Sequence, residues 1–310
     1  MSTDTTTVNK EAAAKAVDTS PKGGANGAAV EEEDWTIVIK PSSSLFDLQL
    51  KEVWRYRDLL QMFVRRDFIA VYKQTILGPI WFFLQPLFTT ITFTLVFGRI
   101  AGIATGGVPH LLFYMAGITC WNYFSSCLSS TSSTFTSNAG IFGKVYFPRL
   151  ITPLSIVVSN MLKFGVQLGL FLLLLGYYLL TDANVQPNFY VLLLPFLVIL
   201  MAVLALGFGM LISAMTTKYR DLQFLIGFGV QLAMYASTVI YPISEIPAKY
   251  KYIILANPMS SIIETFRYAF LGSGTLPWLY LGYTTAFALV VFVSGVLVFN
   301  RVQKSFMDTV

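Results

Sequence analysis

Apolar residues gather into six long runs along the chain, at about 79–98, 110–133, 152–180, 189–214, 222–242 and 277–299. Each is long enough to cross roughly 30 Å of hydrocarbon as a helix, which takes about 20 residues. The stretch before the first run follows a different period. In LKEVWRYRDLLQMFVRRDFIAVYK, a step of about 100° per residue puts Leu50, Val53, Trp54, Leu60, Val64, Phe68 and Val71 on one broad face, with Lys51, Arg55, Arg66 and Lys73 on another. Leu59, Met62 and Phe63 interrupt that face, so a bend or contact with protein as well as lipid is expected. The pattern predicts an interfacial helix along the inner leaflet, with Trp54 and the cations Lys51, Arg55, Arg65 and Arg66 near the headgroups. An ordinary juxtamembrane helix is the other reading. Gly78 and Pro79 then mark a turn into the first run, because proline suits a helix start and restricts the residue before it.

One segment fits neither pattern. YPISEIPAKYKYIILANPMSSIIETFRYAFLGSG, between the fifth and sixth runs, is too polar and proline-rich to span and too apolar for a soluble loop. Asn257 has the chemistry of an N-cap, Pro258 of a first helical residue and Gly272 of a helix stop. A broken, re-entrant helical hairpin on the outer face is expected, as a candidate outer gate carrying Pro242, Pro247, Tyr250, Asn257, Pro258, Glu264 and Arg267. A plain surface cap is the alternative. Before the interfacial helix come a polar tail at 1–34, expected to be disordered and cytoplasmic, and a short β-like run at Trp35–Lys40. The division is therefore a tail at 1–34, strand and interface helix at 35–75, a transmembrane domain at 76–302 and a cytoplasmic end at 303–310.

Composition sharpens this into an all-α integral membrane protein of six transmembrane helices: 55% of residues are hydrophobic and only 12% charged, against about a quarter charged in soluble domains. Cations set the orientation, since short loops rich in Lys and Arg stay cytoplasmic. Lys51, Arg55, Arg57, Arg65, Arg66, Lys73, Lys144, Arg149, Lys218, Arg220, Arg301 and Lys304 fall on one side, and Arg99, Lys249, Lys251 and Arg267 on the other. Both termini are placed in the cytoplasm, together with the loop GIFGKVYFPRL at Gly140 to Leu150.

Chemistry within the runs is sparse. Lys163 is the one clear ionisable residue inside a span, and snorkelling, a polar path and a neighbouring subunit all remain open for it. No buried carboxylates are expected in the six runs, which argues against a proton- or sodium-coupled carrier. Two cysteines and one histidine make a metal site improbable, and Cys120 and Cys127 read as small packing residues. No phosphate loop, HExxH or GxSxG is present, and Asp182, Asp221, Glu245 and Glu264 form no recognisable catalytic set. No catalytic residue, metal, cofactor or nucleic-acid partner is assigned to the chain. Aromatic and amide residues are plentiful instead. Trp81, Phe82, Gln85, Phe88, Tyr114, Trp121, Asn122, Tyr123, Gln231 and Tyr235 are candidates to line a conduit, although belts at the membrane interface explain many such rings equally well. Gly-Phe-Gly occurs twice, at Gly207–Gly209 and Gly227–Gly229, where small residues permit close helix approach.

Taken together, RYRDLLQMFVRRDF, YKQTILGPIWFFLQPLF and GKVYFPRLITP, with the weaker support of Asn257-Pro258, resemble the permease subunit of type-2 ABC exporters over about residues 45 to 305. The likeness is to the bacterial polysaccharide group, which exports O-antigen, capsule or teichoic-acid chains. The resemblance implies a homodimer joined to two copies of a separate cytoplasmic ATPase that binds ATP and Mg, in the inner membrane, moving a lipid-linked polysaccharide. It also implies that Phe142, Gly143, Lys144, Val145, Tyr146, Phe147, Pro148 and Arg149 form a coupling helix seated in that ATPase. A type-2 permease for a drug or other lipid, and an integral-membrane enzyme of lipid-linked glycans, are the alternatives.

Overall fold

The computed structural model describes residues 50–73, 78–145, 147–181, 184–219 and 221–306. The tail, the run at Trp35–Lys40 and Tyr146 lie outside the described residues. Within them every regular element is helical, and no strand occurs. Two lead-in helices, α1 (Leu50–Arg55) and α2 (Arg57–Tyr72), precede α3 (Trp81–Phe93), which passes into a π-helical stretch at Thr94–Ile100. Then follow α4 (His110–Ser132), α5 (Thr134–Phe142), α6 (Ile151–Leu180), α7 (Leu194–Thr216), α8 (Leu222–Tyr235), α9 (Ala248–Ala256), α10 (Pro258–Leu271) and α11 (Trp278–Phe306).

Among the described residues, four helices are long and apolar enough to cross a membrane: Trp81–Ile100, Ile151–Leu180, Phe189–Thr216 and Trp278–Gln303. With its run of serines and threonines, α4 is less apolar, though its 23 residues reach about 35 Å at 1.5 Å each. At 14 residues, α8 is about 21 Å long, short of the hydrocarbon core.

The packing centre is α7, clasped between α4 and α11. Glycine sets those distances. A Cβ on Gly207 would sit 2.7 Å from the Phe292 backbone nitrogen, and one on Gly295 would sit 2.5 Å from the Gly207 carbonyl. Only hydrogen fits there, so the two backbones touch over a wide apolar contact. On its other side α4 meets α6, while α2 runs along α6 and α10 lies across α4 and α11.

The amphipathic lead-in helix is interrupted, with Tyr56 (φ −94°, ψ 23°) separating α1 from α2. Val64 is buried, Trp54 stays 72% exposed, and Phe63, off the broad apolar face, is partly buried. The reason is that α2 rests on α6 and on the loop after α5, so protein as well as membrane selects its apolar face.

The fifth apolar run also differs. It was expected to continue as one helix to residue 242, yet α8 stops at Tyr235 and the chain turns through residues 236–240. Side chains take over the hydrogen bonds that a longer helix would have made. Asn257 Nδ2 donates to the carbonyls of Ala233 (3.1 Å) and Ala236 (3.0 Å), and Ser237 Oγ donates to Met234 O at 2.6 Å. The next two carbonyls, of Thr238 and Val239, accept from Arg267. Irregular backbone survives inside a membrane domain where protein satisfies it in this way.

Candidate functional site

Functional chemistry concentrates at the two ends of the bundle. At one end lies the loop between α5 and α6. Phe142 and Phe147 are 4% and 5% exposed, with ring centroids 5.7 Å apart. Phe147 meets Phe63 of α2 edge-on at 5.7 Å, and Phe142 meets Phe135, which stacks on Phe299 of α11 at 4.5 Å. Arg149 lies over the Phe142 ring at 5.4 Å and donates from Nη1 to the Gln303 carbonyl at 2.7 Å. Its partial burial lowers the guanidinium pKa from the usual arginine range. Pro148 is buried too, which leaves Gly143, Lys144 and Val145 as the exposed tip; Val145 is 57% exposed. Four of the eight expected coupling residues therefore face inward and anchor the tip to α2, α5 and α11. Such an anchored tip can transmit a push to three helices at once. The interface-helix residues Lys51, Trp54, Arg55, Arg65 and Arg66 are all exposed on α1 and α2 beside it.

At the other end stands the hairpin α9–α10. Asn257 caps α10 as expected, its Oδ1 accepting from Met259 N at 3.0 Å, with Pro258 in the first turn. Gly272 closes the helix in the left-handed region at φ 70°, where a Cβ would lie 2.6 Å from Gln186 O. Through that contact the segment before α7 hydrogen-bonds to the end of α10: Gln186 N to Leu271 O, and Asn188 N to Ala269 O.

Glu264 and Arg267, expected at an outer gate, are instead buried inside α10, with side chains 5% and 1% exposed. Arg267 Nη1 stands 3.6 Å from Glu264 Oε1 and also donates to Thr238 O. Nη2 donates to Val239 O at 2.8 Å, while Nη2 and Nε both reach Phe113 O, at 3.2 and 3.3 Å. The guanidinium also sits 3.5 Å from the centre of the Phe113 ring. One side chain thus ties α10 to α4 and to the turn after α8. Gly117 makes room for it, since a Cβ there would come within 2.7 Å of Arg267 Nη2. Arg267 consequently does not count among the outer-loop cations. The i, i+3 spacing of Glu264 and Arg267 was the available sequence signal; its partner Phe113, 154 residues away, had none.

Of the other expected gate residues, Pro242 is partly buried, while Pro247 and Tyr250 are exposed. Pro247 and Tyr250 line a cleft of about 600 Å³ with Tyr241, Glu245 and the residues just after the π-helical stretch.

The expected conduit residues do not form one wall in the protomer. Phe82, Tyr114, Trp121 and Tyr123 are buried in its core. Asn122 is part-buried and donates to Gln167 Oε1 at 3.4 Å. Trp81, Gln85 and Phe88 are exposed on one face of α3, and Gln231 and Tyr235 are exposed on α8. Among the described residues, no group of His, Cys, Asp or Glu could hold a metal ion.

The described residues thus combine long apolar helices with a lead-in helix, an anchored loop at one end and a clamped hairpin at the other. The ABC-2 type transporter family matches residues 58–271, and the chain belongs to that family, as a transmembrane subunit without an ATPase domain. Over 252 residues it is 27% identical to the O-antigen export system permease protein RfbA of Klebsiella pneumoniae, covering 81% of this chain and 94% of that one. The polysialic acid transport protein KpsM of Escherichia coli is 20% identical over 235 residues, 75% of this chain and 89% of its own. The inner membrane transport permease YadH of Escherichia coli K12 is 23% identical over 255 residues, 80% and 91% of the two chains.

Proposed function

We infer that the chain is the membrane half of an ATP-driven exporter, working as a homodimer with two copies of a separate cytoplasmic ATPase and moving a lipid-linked polysaccharide across the bacterial inner membrane. The observation that carries this reading is the likeness to the O-antigen permease, which extends over 94% of that protein's length. Six crossings follow if α4 and the pair formed by α8 and the hairpin complete the four long helices. Twelve cations then lie on the loop side against three on the hairpin side, Arg267 being withdrawn into the core, so loop and termini face the cytoplasm. The tail at 1–34 and the end at 303–310 belong to that compartment in this scheme, flanking an interface segment at 35–75 and the transmembrane domain at 76–302.

Within this scheme the exposed tip, Gly143, Lys144 and Val145, seats in a cleft of the ATPase. The buried Phe142 and Phe147 and the part-buried Arg149 carry its displacement into α2 and α11. Trp81, Gln85 and Phe88 of α3 and Gln231 and Tyr235 of α8, exposed in one protomer, line the conduit between two. Aromatic faces and amides suit sugar rings along such a path. The hairpin forms its outer gate.

A second reading, a permease for a drug or other lipid, goes with the likeness to YadH, an inner membrane transport permease whose name specifies no polysaccharide and which is matched over a similar share of the chain. Replacing Lys144 and Val145 by Glu tests the coupling assignment. ATPase retained on affinity-purified permease should fall at least about tenfold, the loss of roughly 1.4 kcal/mol, while insertion stays intact. Undiminished retention and export would refute it. Accumulation of cytoplasmic lipid-linked glycan in a deletion strain separates the polysaccharide reading from the second one.

A further inference from the structure

Between α2, α4, α5 and α6, at the loop end, lies a cleft of about 430 Å³, inside the range of roughly 300–1,000 Å³ typical of ligand sites. The slot between α4 and α8 is lined almost wholly by apolar side chains, whereas this cleft has polar walls. Arg66 and Asp67 come from α2, and Ser159, Asn160 and Lys163 from α6, with Thr152 near the start of α6. Arg66 Nη2 is paired with the Asp67 carboxylate at 2.8 Å. Lys163 Nζ donates one hydrogen bond, to Asn160 Oδ1 at 3.0 Å, out of the three an ammonium can make. Two cations therefore face one carboxylate, and the surplus is positive.

The hydroxyls supply a second, independent sign. Thr152 and Ser159 are 2% and 3% exposed, and neither Thr152 Oγ1 nor Ser159 Oγ has a hydrogen-bond partner. A buried hydroxyl left without a partner is costly to keep out of water. Ser155, on the same helix, satisfies its hydroxyl on the Thr152 carbonyl at 2.8 Å, whereas Thr152 and Ser159, both in the cleft lining, do not.

We propose that this cleft holds the phosphate group of a lipid, with Lys163 as counter-charge and the Thr152 and Ser159 hydroxyls as donors. A tetrahedral phosphate offers enough acceptor oxygens to engage an ammonium and two hydroxyls together, and such charge-assisted bonds are the strong ones. Asp67 opposes binding both by its own charge and by occupying Arg66. The site stands on the cleft alone and does not depend on the export reading.

Native mass spectrometry of the full chain in detergent tests it, with short-chain phosphatidic acid as probe, the matching diacylglycerol as neutral control and inorganic phosphate as competitor. Phosphatidic acid should be retained and diacylglycerol not. Lys163→Gln should cut occupancy about tenfold, in line with a charged hydrogen bond. Lys163→Arg should keep it, and Asp67→Asn should raise it. Displacement by inorganic phosphate would show that the phosphate itself is the group recognised, and stronger retention of a polyprenyl diphosphate would assign the site to a polymer carrier rather than to membrane phospholipid. Equal retention of the phosphorylated and neutral lipids would overturn the proposal. Should Lys163→Gln fail to fold, Asp67→Asn decides, and occupancy unchanged there would overturn it equally.

Discussion

The triplet Gly-Phe-Gly occurs in α7 and again in α8, with opposite surroundings. In α7, Gly207 presses on the α11 backbone and Gly209 on Thr131 of α4. In α8, Gly227 and Gly229 have nothing within 4 Å of where a Cβ would go, and no residue of that helix is buried. Phe228, the central residue of the second triplet, is 62% exposed, as are Phe224 (84%) and Leu225 (61%). The same local pattern thus holds the protomer together in one helix and, in the other, offers a smooth apolar face that the protomer leaves open. In the proposed homodimer that face has an occupant, the second copy.

The C-terminal end of α8 and the turn after it are clamped by Asn257 and Arg267, and the largest expected effect is there. Arg267→Ala leaves Glu264 buried without its counter-charge and frees the carbonyls of Phe113, Thr238 and Val239. Breaking such a pair costs about 3–5 kcal/mol. A large drop in the thermal midpoint in detergent, with proteolysis opening near residues 236–247, is the outcome to look for. The double variant Glu264→Gln with Arg267→Met should recover part of the loss, because a buried pair replaced on both sides is often close to neutral. No recovery would mean that the carbonyl bonds, not the ion pair, dominate.

Next in size is the packed triplet. Gly207→Val drives side-chain atoms into the Phe292 backbone, and overpacking of this kind costs about 1–3 kcal/mol. Reduced yield of monodisperse protein and a lowered midpoint would register it. Gly295→Ala, against the Gly207 carbonyl, should behave alike. Smallest is the open triplet: Gly229→Val should leave the midpoint of the isolated protomer within about 0.5 kcal/mol, as for exposed positions generally. If α8 faces a second copy, that substitution should nonetheless weaken copy-to-copy cross-linking through cysteine at Phe228. Equal destabilisation by Gly207→Val and Gly229→Val would erase the distinction between the two helices.

How much of this was legible in the sequence depended on the distance over which each feature is determined. Asn257, Pro258 and Gly272 delimit α10 as the residues themselves dictate, because capping is settled within one turn. The apolar runs gave the long helices to within a few residues, since hydrocarbon thickness imposes their length. The premature end of α8 was hidden, because the groups that accept its lost bonds sit on Asn257 and Arg267, far along the chain. Phe142 and Phe147 read as surface anchors for a partner because nothing in GIFGKVYFPRL reveals Phe63 or Phe299 waiting beneath it. Trp54 lies on the apolar face that periodicity assigns to the membrane surface, and it is exposed in the protomer, while Val53 of the same helix packs against the core. Lys163 was visible as an anomaly, whereas its setting required α2 to lie along α6.

The central claim is that this permease acts as a pair driven by a separate ATPase. Co-expression with a candidate partner ATPase, followed by native mass spectrometry of the affinity-purified assembly, tests that claim most directly. The account predicts one dominant mass equal to two permease chains plus two ATPase chains, lost when Lys144 and Val145 are both replaced by Glu. A permease recovered alone, still exporting its substrate in cells that lack the ATPase, would contradict it.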